Sequence, residues 1–315
     1  KSYTEIVWGR ACVDISAEWG AQRVKSFSIA GAAKQAAGSL VERFLYPHHG
    51  PGQLWEAAAL RIAAAGGKIS LRHKVMDVEY DGKRICSLGI ENLDTGERTR
   101  QACDLFVSTM PVKDLIGGML GPVPEAAREV ARKLEYRDFI TVGVLASRLK
   151  RPMSDTWIYI QDPGVKLGRV QIYNNWSAGM IADPAKIWLG LEYFCGEGDA
   201  MWAMSDAELT ALATEELTRI GFVDPEDVED AAVLRVPKAY PAYWGAYKDF
   251  SVIRDFVDLI PNLYLIGRNG MHRYNNQDHS MLAAMAAVEH ILGAGGGRDA
   301  IWAVNADEDY HEERS

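Results

Sequence analysis

Cysteine is scarce in this chain. Cys12, Cys86, Cys103 and Cys195 are spread over 315 residues with no Cys-x-x-Cys pair and no ligand-like spacing. That pattern builds neither a disulfide scaffold nor a zinc site. No metal is expected, and a reduced, cytoplasmic setting is the simplest reading. No apolar run approaches the length of a membrane span, which excludes an integral helical membrane protein. Positive charge is in deficit, with 34 Lys and Arg against 43 Asp and Glu and a net charge of −9. A general nucleic-acid surface needs the opposite sign, although a local basic pocket for an anion stays possible. Nothing at the start reads as a secretory leader. Lys1 runs into Tyr3–Trp8, which already reads as ordered structure, so the chain is expected to begin inside something longer. The most informative absence concerns glycine. There are 29 glycines, yet no Gly-x-Gly-x-x-Gly stands between a strand and a helix, where backbone N–H groups would cradle a diphosphate. Gly293–Gly297 read as a helix stop, and Gly50–Gly52 have the wrong spacing.

What is present is an ordinary globular composition, 48% apolar and 24% charged, enough for two interleaved domains. Asp14–Lys25 reads as a helix that puts Trp19 and Arg23 on one face. Residues 26–40 are weakly specified. Pro47, Gly50, Pro51 and Gly52 mark a turn, and Gln53–Ala65 a helix ended by Gly66-Gly67. Lys68–His73, Val75–Tyr80, Arg84–Asn92 and Thr99–Thr109 read as strands, with turns at Asp81-Gly82 and Asp94-Thr95-Gly96. The apolar run Asp104–Pro111 carries the mark of a buried strand. A helix follows at Pro124–Leu134. Residues 138–147, 156–161, 169–174 and 188–195 read as a second sheet. Ser205–Ile220 is an amphipathic helix with a cap and an acidic first turn. Ala231–Val236 and Leu263–Gly267 read as strands, and Asp278–Leu292 as the last helix. The acidic tail is a solvated charge run, and no internal repeat is visible.

The densest polar cluster is the stretch from Gly267 to Ile291, between the strand at 263–267 and the last helix. A loop this polar at a strand-to-helix turn is a usual place for a ligand, and the helix start would offer N–H groups and positive dipole to an anion. The bland alternative is a well-capped surface loop.

Gly267-Arg268, then Arg273-Tyr274, then Asn276-Gln277-Asp278-His279-Ser280 stand in an order that resembles the flavin-dependent superfamily of amine oxidases, protoporphyrinogen oxidases and UDP-galactopyranose mutases. The match is closest to the eukaryotic-type mutases. His272 stands where that family has Trp, and the loop before Asn276 is about two residues shorter. Tyr3 to Trp8, with Arg23 fifteen residues on, resembles the family's Tyr-Asn-x-Lys-Val-Trp and following Arg, with Thr4 in place of Asn. The stretches from Tyr46 to Ala59, Val107 to Leu115, Tyr136 to Val144 and Lys238 to Tyr243 fit further segments. The matches span residues 3 to 292.

The resemblance implies FAD as cofactor of a longer protein that carries the missing nucleotide-binding segment, with weak or no binding by these 315 residues alone. It implies that Arg268, Asn276, Gln277, Asp278, Ser280 and Met281 line the flavin. Trp8, Arg23, Tyr136, Tyr240 and Tyr274 would contact a nucleotide sugar, Arg23 and the tyrosines on its diphosphate. Each has a bland alternative: a surface salt bridge for Arg268, a solvent-facing residue for Arg23, a core ring for Trp8, ordinary half-buried aromatics for the tyrosines. Arg148 lies near a second diphosphate Arg of the family, out of register. His48, His49 and His279 stand in suggestive places, and only His279, inside the matched motif, is a catalytic candidate.

The expected architecture is α/β: an incomplete, Rossmann-like FAD-binding domain interleaved with a mixed-sheet substrate domain. Residues 67–110 and 263–293 fall to the first domain. Residues 111–262 and the helical 1–66 fall to the second, and 294–315 form the tail. The expected activity is flavin-dependent opening and reclosing of a sugar ring on UDP, with no net redox change. Alternatives are an oxidoreductase of the amine oxidase or protoporphyrinogen oxidase type, and a non-catalytic remnant. Partners are a small-molecule substrate, with no nucleic acid and no membrane; oligomeric state stays open.

Overall fold

The computed structural model describes residues 2–11 and 45–305. The expected helix Asp14–Lys25, with Arg23, lies outside the described residues, as do 26–40 and the acidic tail beyond 305. The chain divides into two compact units, one of residues 1–14, 38–69 and 137–239, the other of 15–37, 70–136 and 240–315. The units therefore change over at 136/137 and 239/240, where the sequence placed the changes at 110/111 and 262/263.

In the unit containing residues 70–136, β1 (His73–Tyr80), β2 (Ile85–Asn92) and β3 (Arg98–Ala102) form an antiparallel meander. The turn between β1 and β2 is closed by the Asp81 carboxylate, which accepts the N–H groups of Lys83 and Arg84 at 2.8 Å each. Those bonds, to Arg84 and then Lys83, hold its carboxyl below the ordinary range. A short β5 (Met119–Leu120) adds in parallel to β1, giving the order β3-β2-β1-β5. Meanwhile β4 (Phe106–Ser108) leaves this sheet. It pairs in parallel with β11 (Leu263–Leu265), Leu263 opposite Phe106 and Leu265 opposite Ser108. Helices Val112–Gly118, Glu125–Lys133, Ser251–Asp258 and Gln277–Ile291 supply the core, in which Ile85, Leu115, Ile116, Leu134, Ile253 and Ile260 are fully enclosed.

Two strand expectations are corrected here. Residues 68–72 form no strand: Ile69 and Leu71 are exposed, Arg72 is left-handed at φ 60°, and β1 starts only at His73. Gly66-Gly67 stop the preceding helix, and among the described residues no strand pairs with the segment. The run Thr99–Thr109 is two strands, β3 and β4, broken around Asp104. There the Asn262 amide and the Arg84 guanidinium take the Asp104 carbonyl out of any ladder. Nor is β4 buried throughout: Ser108 is enclosed, but Val107 is 41% exposed.

The other unit is built on a five-stranded sheet. Its strands are β6 (Tyr136–Ala146, nearly all of it here), β7 (Trp157–Tyr159), β8 (Arg169–Ile172), β9 (Ile187–Cys195) and β10 (Val228–Pro241), in the order β10-β6-β9-β8-β7. Alternation decides the facing. Ile140, Val142, Val144 and Ala146 of β6 are buried with Leu189 and Leu191 of β9, beneath the Asp206–Arg219 helix through Leu209, Ala213 and Leu217. That helix opens with a capping box, Ser205 accepting from the Glu208 N–H at 3.3 Å while the Glu208 carboxylate accepts the Ser205 N–H at 2.7 Å. On the opposite face Glu192 accepts from Arg169 Nε at 2.7 Å and from Gln171 Nε2 at 2.8 Å. The Arg169 guanidinium lies between the rings of Trp157 and Phe194, at 4.7 and 4.9 Å. In the same unit the Gly52–Ala64 helix buries none of its residues, and Leu54, Trp55, Leu60 and Ile62 are exposed.

Parallel and antiparallel strands with interspersed helices make an α/β fold, as the sequence implied. Among the described residues, no helix is long and apolar enough to cross a membrane, and no three His, Cys, Asp or Glu side chains gather as metal ligands.

Candidate functional site

In open α/β sheets, ligands settle beyond the carboxyl ends of parallel strands. In this chain those ends belong to β4 and β11. Their pairing is sealed by Phe106 N–H donating to Asn262 O at 2.8 Å and Ile266 N–H donating to Ser108 O at 3.0 Å. Beyond β11 the backbone turns at once into a helical turn, Gly267–Gly270. Gly267 sits at φ +74°, a conformation that strains any residue with a side chain. A Cβ on Gly270 would stand 2.7 Å from the Ser108 carbonyl oxygen, so glycine alone allows the turn to lie this close to the end of β4. The Ser108 hydroxyl is buried there with no hydrogen-bond partner.

Arg268 projects from this turn. Its Nε donates to the Asn275 carbonyl at 2.8 Å. Its guanidinium carbon lies 4.8 Å from the Tyr274 ring centre and 5.3 Å from that of Tyr240. The two rings stack on each other, 5.6 Å apart and 12° from parallel. The cation is therefore fixed by backbone on one side and π faces on the other, contacts worth about 0.5–2 kcal/mol each. A further link holds the pair: the Tyr274 N–H donates to the Tyr243 hydroxyl. Arg268, Tyr240 and Tyr274, assigned from motif order alone, are thus brought together.

The Gln277–Ile291 helix starts beside them. Asn276, Gln277 and Asp278 are exposed at its first turn, and Met281 is partly exposed. The dipole there is positive toward solvent. Ser280 Oγ donates to the Asn276 carbonyl at 2.9 Å. His279 Nδ1 accepts the Asn276 N–H at 3.2 Å, so its ring caps the helix and carries its proton on Nε2. Ala283 and Ala287 are the helix's buried residues.

Other candidates land elsewhere. Tyr136 is half-buried at the start of β6, its hydroxyl has no partner, and burial raises its phenol well above the ordinary range. Trp8 is 2% exposed, enclosed in the other unit. Arg148 turns its Nε to Asp227 at 3.0 Å. His49 Nδ1 lies 3.1 Å from the Gly179 carbonyl, and the His48 ring packs edge-on against His49. Sequence reasoning assigned no role to His272 and Tyr243, which tie the loop to the segment after Tyr240. The only signal available was the recurrence of tyrosines after Lys238.

A model of the amine oxidase family, described as flavin containing amine oxidoreductase, matches residues 15–274. No curated protein matches the chain. Among solved structures, a reduced UDP-galactopyranose mutase is similar with a TM-score of 0.75 at 19% identity, covering 95% of this chain and 64% of that one. A putative protoporphyrinogen oxidase from Exiguobacterium sp. 255-15 is similar with a TM-score of 0.58 at 17% identity, covering 79% and 52%. An oxidoreductase from Methanosarcina mazei gives 0.51 at 15% identity, covering 71% and 50%. The chain thus spans between half and two thirds of the length of these relatives, and at such identities the likeness is one of fold. With the family model covering well over half of it, the chain belongs to the flavin containing amine oxidoreductases.

Proposed function

We propose that, as part of an intact flavoprotein, this chain lines the site of a flavin, FAD, beyond the carboxyl ends of β4 and β11 and serves a reaction on a nucleotide sugar like that of a UDP-galactopyranose mutase, while the 315 residues alone bind flavin weakly or not at all. One observation carries the reading: a fixed cation, Arg268, and an exposed helix start meet where two parallel strands end. The residues fit such a group. The Ser108 hydroxyl is a buried donor lacking a partner, the Gly267–Gly270 turn brings backbone close, and the first turn of Gln277–Ile291 favours negative charge. Arg268 would face the pyrophosphate, while Asn276, Gln277, Asp278, Ser280 and Met281 would line the ring. A bound flavin would supply the reactive centre. The chain's part is to orient it and to hold the stacked Tyr240 and Tyr274 beside the substrate.

The Tyr240–Tyr274 stack favours a second reading. An oxidoreductase of the amine oxidase or protoporphyrinogen oxidase type also uses an aromatic cage beside the flavin, and fold cannot separate the two. The test is to reduce the intact flavoprotein anaerobically, add UDP-galactose and separate the products by chromatography, with UDP titrated in parallel by Trp fluorescence. Appearance of the furanose isomer supports the mutase reading. No UDP binding removes it in favour of the oxidoreductase, and a protein that never takes up flavin is a non-catalytic remnant.

A further inference from the structure

His272 has no part in the reading above. It is fully buried. Its backbone is left-handed at φ 46°, a strained conformation for a residue with a side chain. Its ring lies edge-on to Tyr136 at 4.8 Å and in tilted stacks on Tyr247 at 5.8 Å and Phe250 at 5.9 Å. Nε2 is 3.1 Å from the Ala242 carbonyl oxygen, which can only accept, so Nε2 carries the ring proton. Nδ1 is then a bare lone pair, buried and without a partner.

An apolar ring would fill this box with no unsatisfied nitrogen. The histidine accepts an orphaned acceptor and a strained backbone, and what it gains in return is the bond to Ala242. That bond crosses from the loop after β11 to the segment after Tyr240. On one side of it Tyr240 stacks on Tyr274, and on the other Tyr243 receives the Tyr274 N–H. We propose that His272 is a positioning residue. Its Nε2–H latches residues 240–243 to the 268–276 loop and so holds the Tyr240–Tyr274 stack against Arg268. The consequence for flavin rests on the function proposed above, but the latch itself does not.

Two arms separate the latch from that function. The first is hydrogen exchange by mass spectrometry on the whole chain, with His272→Phe and His272→Asn. Phe keeps the ring and loses the donor, whereas Asn loses the ring and keeps an N–H. The latch predicts that H272F speeds exchange at least tenfold in peptides covering 240–250 and 268–276 and leaves β1–β2 unchanged. H272N should fall between H272F and wild type. Wild-type protection in H272F, or H272N faring no better than H272F, overturns the latch and leaves a space-filling ring.

Should H272F unfold as a whole, wild type read down a pH series tests the same latch, because a second proton on the enclosed, unpartnered Nδ1 puts an uncompensated charge among the Tyr136, Tyr247 and Phe250 rings, and a ring driven out to water takes the Nε2 bond with it. Burial, foremost, holds the His272 imidazole down to about 4, with the Lys113 ammonium also opposing a second proton. The other ionisable groups around the ring are the Tyr136 and Tyr247 phenols, Lys113, Asp114 beside Tyr136, and Glu135 beside Gly245. H272N retains both carboxylates and is the control. Protection of 240–250 should fall near pH 4 before that of β1–β2 in wild type and show no such step in H272N. A step shared by both proteins overturns the latch.

The second arm is FAD affinity of the intact protein, expected to drop about tenfold in H272F. If wild type takes up no FAD, the flavin reading fails while the exchange data still decide the latch.

Discussion

Asn262 takes both main-chain groups of Ile85 at once. Its Oδ1 accepts the Ile85 N–H at 2.8 Å and its Nδ2 donates to the Ile85 carbonyl at 2.8 Å. The same nitrogen also reaches the Asp104 carbonyl at 3.0 Å. One buried amide therefore imitates a strand and stitches β2 to the entries of both β4 and β11. Replacing it by Leu would strand the two buried main-chain groups of Ile85, each costing about 1–3 kcal/mol, while the exposed Asp104 carbonyl keeps Arg84. We expect Asn262→Leu to lower stability by about 2 kcal/mol or more, read as a fall in the urea midpoint with an unchanged slope. A loss under 1 kcal/mol would mean that the backbone groups find other partners.

Arg268 should matter for the ligand and little for the fold. It sits at a half-exposed position, and its contacts include the Asn275 carbonyl and two π faces. A charged hydrogen bond to a phosphate is worth about 1.5–3 kcal/mol, so Arg268→Ala should cost the intact protein roughly ten- to a hundredfold in FAD affinity. Its melting temperature should move only slightly. Equal FAD affinity in the mutant, measured by flavin fluorescence, would remove the pyrophosphate role.

The buried pair on β8 and β9 predicts an asymmetry. Arg169 and Glu192 are both enclosed and satisfy each other, with Gln171 on the second carboxylate oxygen. Removing one partner of such a pair leaves an uncompensated charge and costs about 3–5 kcal/mol, whereas replacing both by apolar residues can be neutral. Arg169→Met should therefore be more damaging than Arg169→Met combined with Glu192→Leu. Thermal melts of the two variants would show the order, and a double mutant less stable than the single one would contradict it.

His272 gives stability a definite slope with pH. Its imidazole is held at about 4 in the fold by burial, against an ordinary 6.5. Between those values the unfolded chain binds the proton and the folded chain does not, so stability falls as pH falls from 6.5 to 4 and the loss is complete below the folded value. The span corresponds to about 3 kcal/mol. Denaturant titrations at pH 7, 5.5 and 4.5 should show a wild-type slope steeper by up to one proton than that of His272→Phe. Parallel slopes would show that the group stays protonatable in the fold.

How much of this could be read beforehand depended on range. The sheet of β6 to β9 was legible because β6 alternates and β9 runs apolar, and the Asp206–Arg219 helix because Ser205 and Glu208 spell a local cap. The helices Val112–Gly118, Ser251–Asp258 and Arg298–Ala303 were not, since six to eight residues carry too little periodicity. The pairing of β4 with β11 joins segments separated by about half of the chain and has no local signature. The site followed the same rule. Motif order found Arg268, Tyr240 and Tyr274, but their stacking and the bond from His272 to Ala242 arise only in three dimensions. A single histidine in a sequence reads as structural until its orphaned nitrogen is seen.

The Gly52–Ala64 helix has a practical consequence. Leu54, Trp55, Leu60 and Ile62 lie uncovered along a helix that buries nothing. Uncovered apolar surface of this kind attracts its like. Handled by itself, this polypeptide should brighten a hydrophobic dye while still folded, and light scattering should rise with concentration. Leu60→Lys, at the most exposed of the four side chains, should quiet both signals without touching the core.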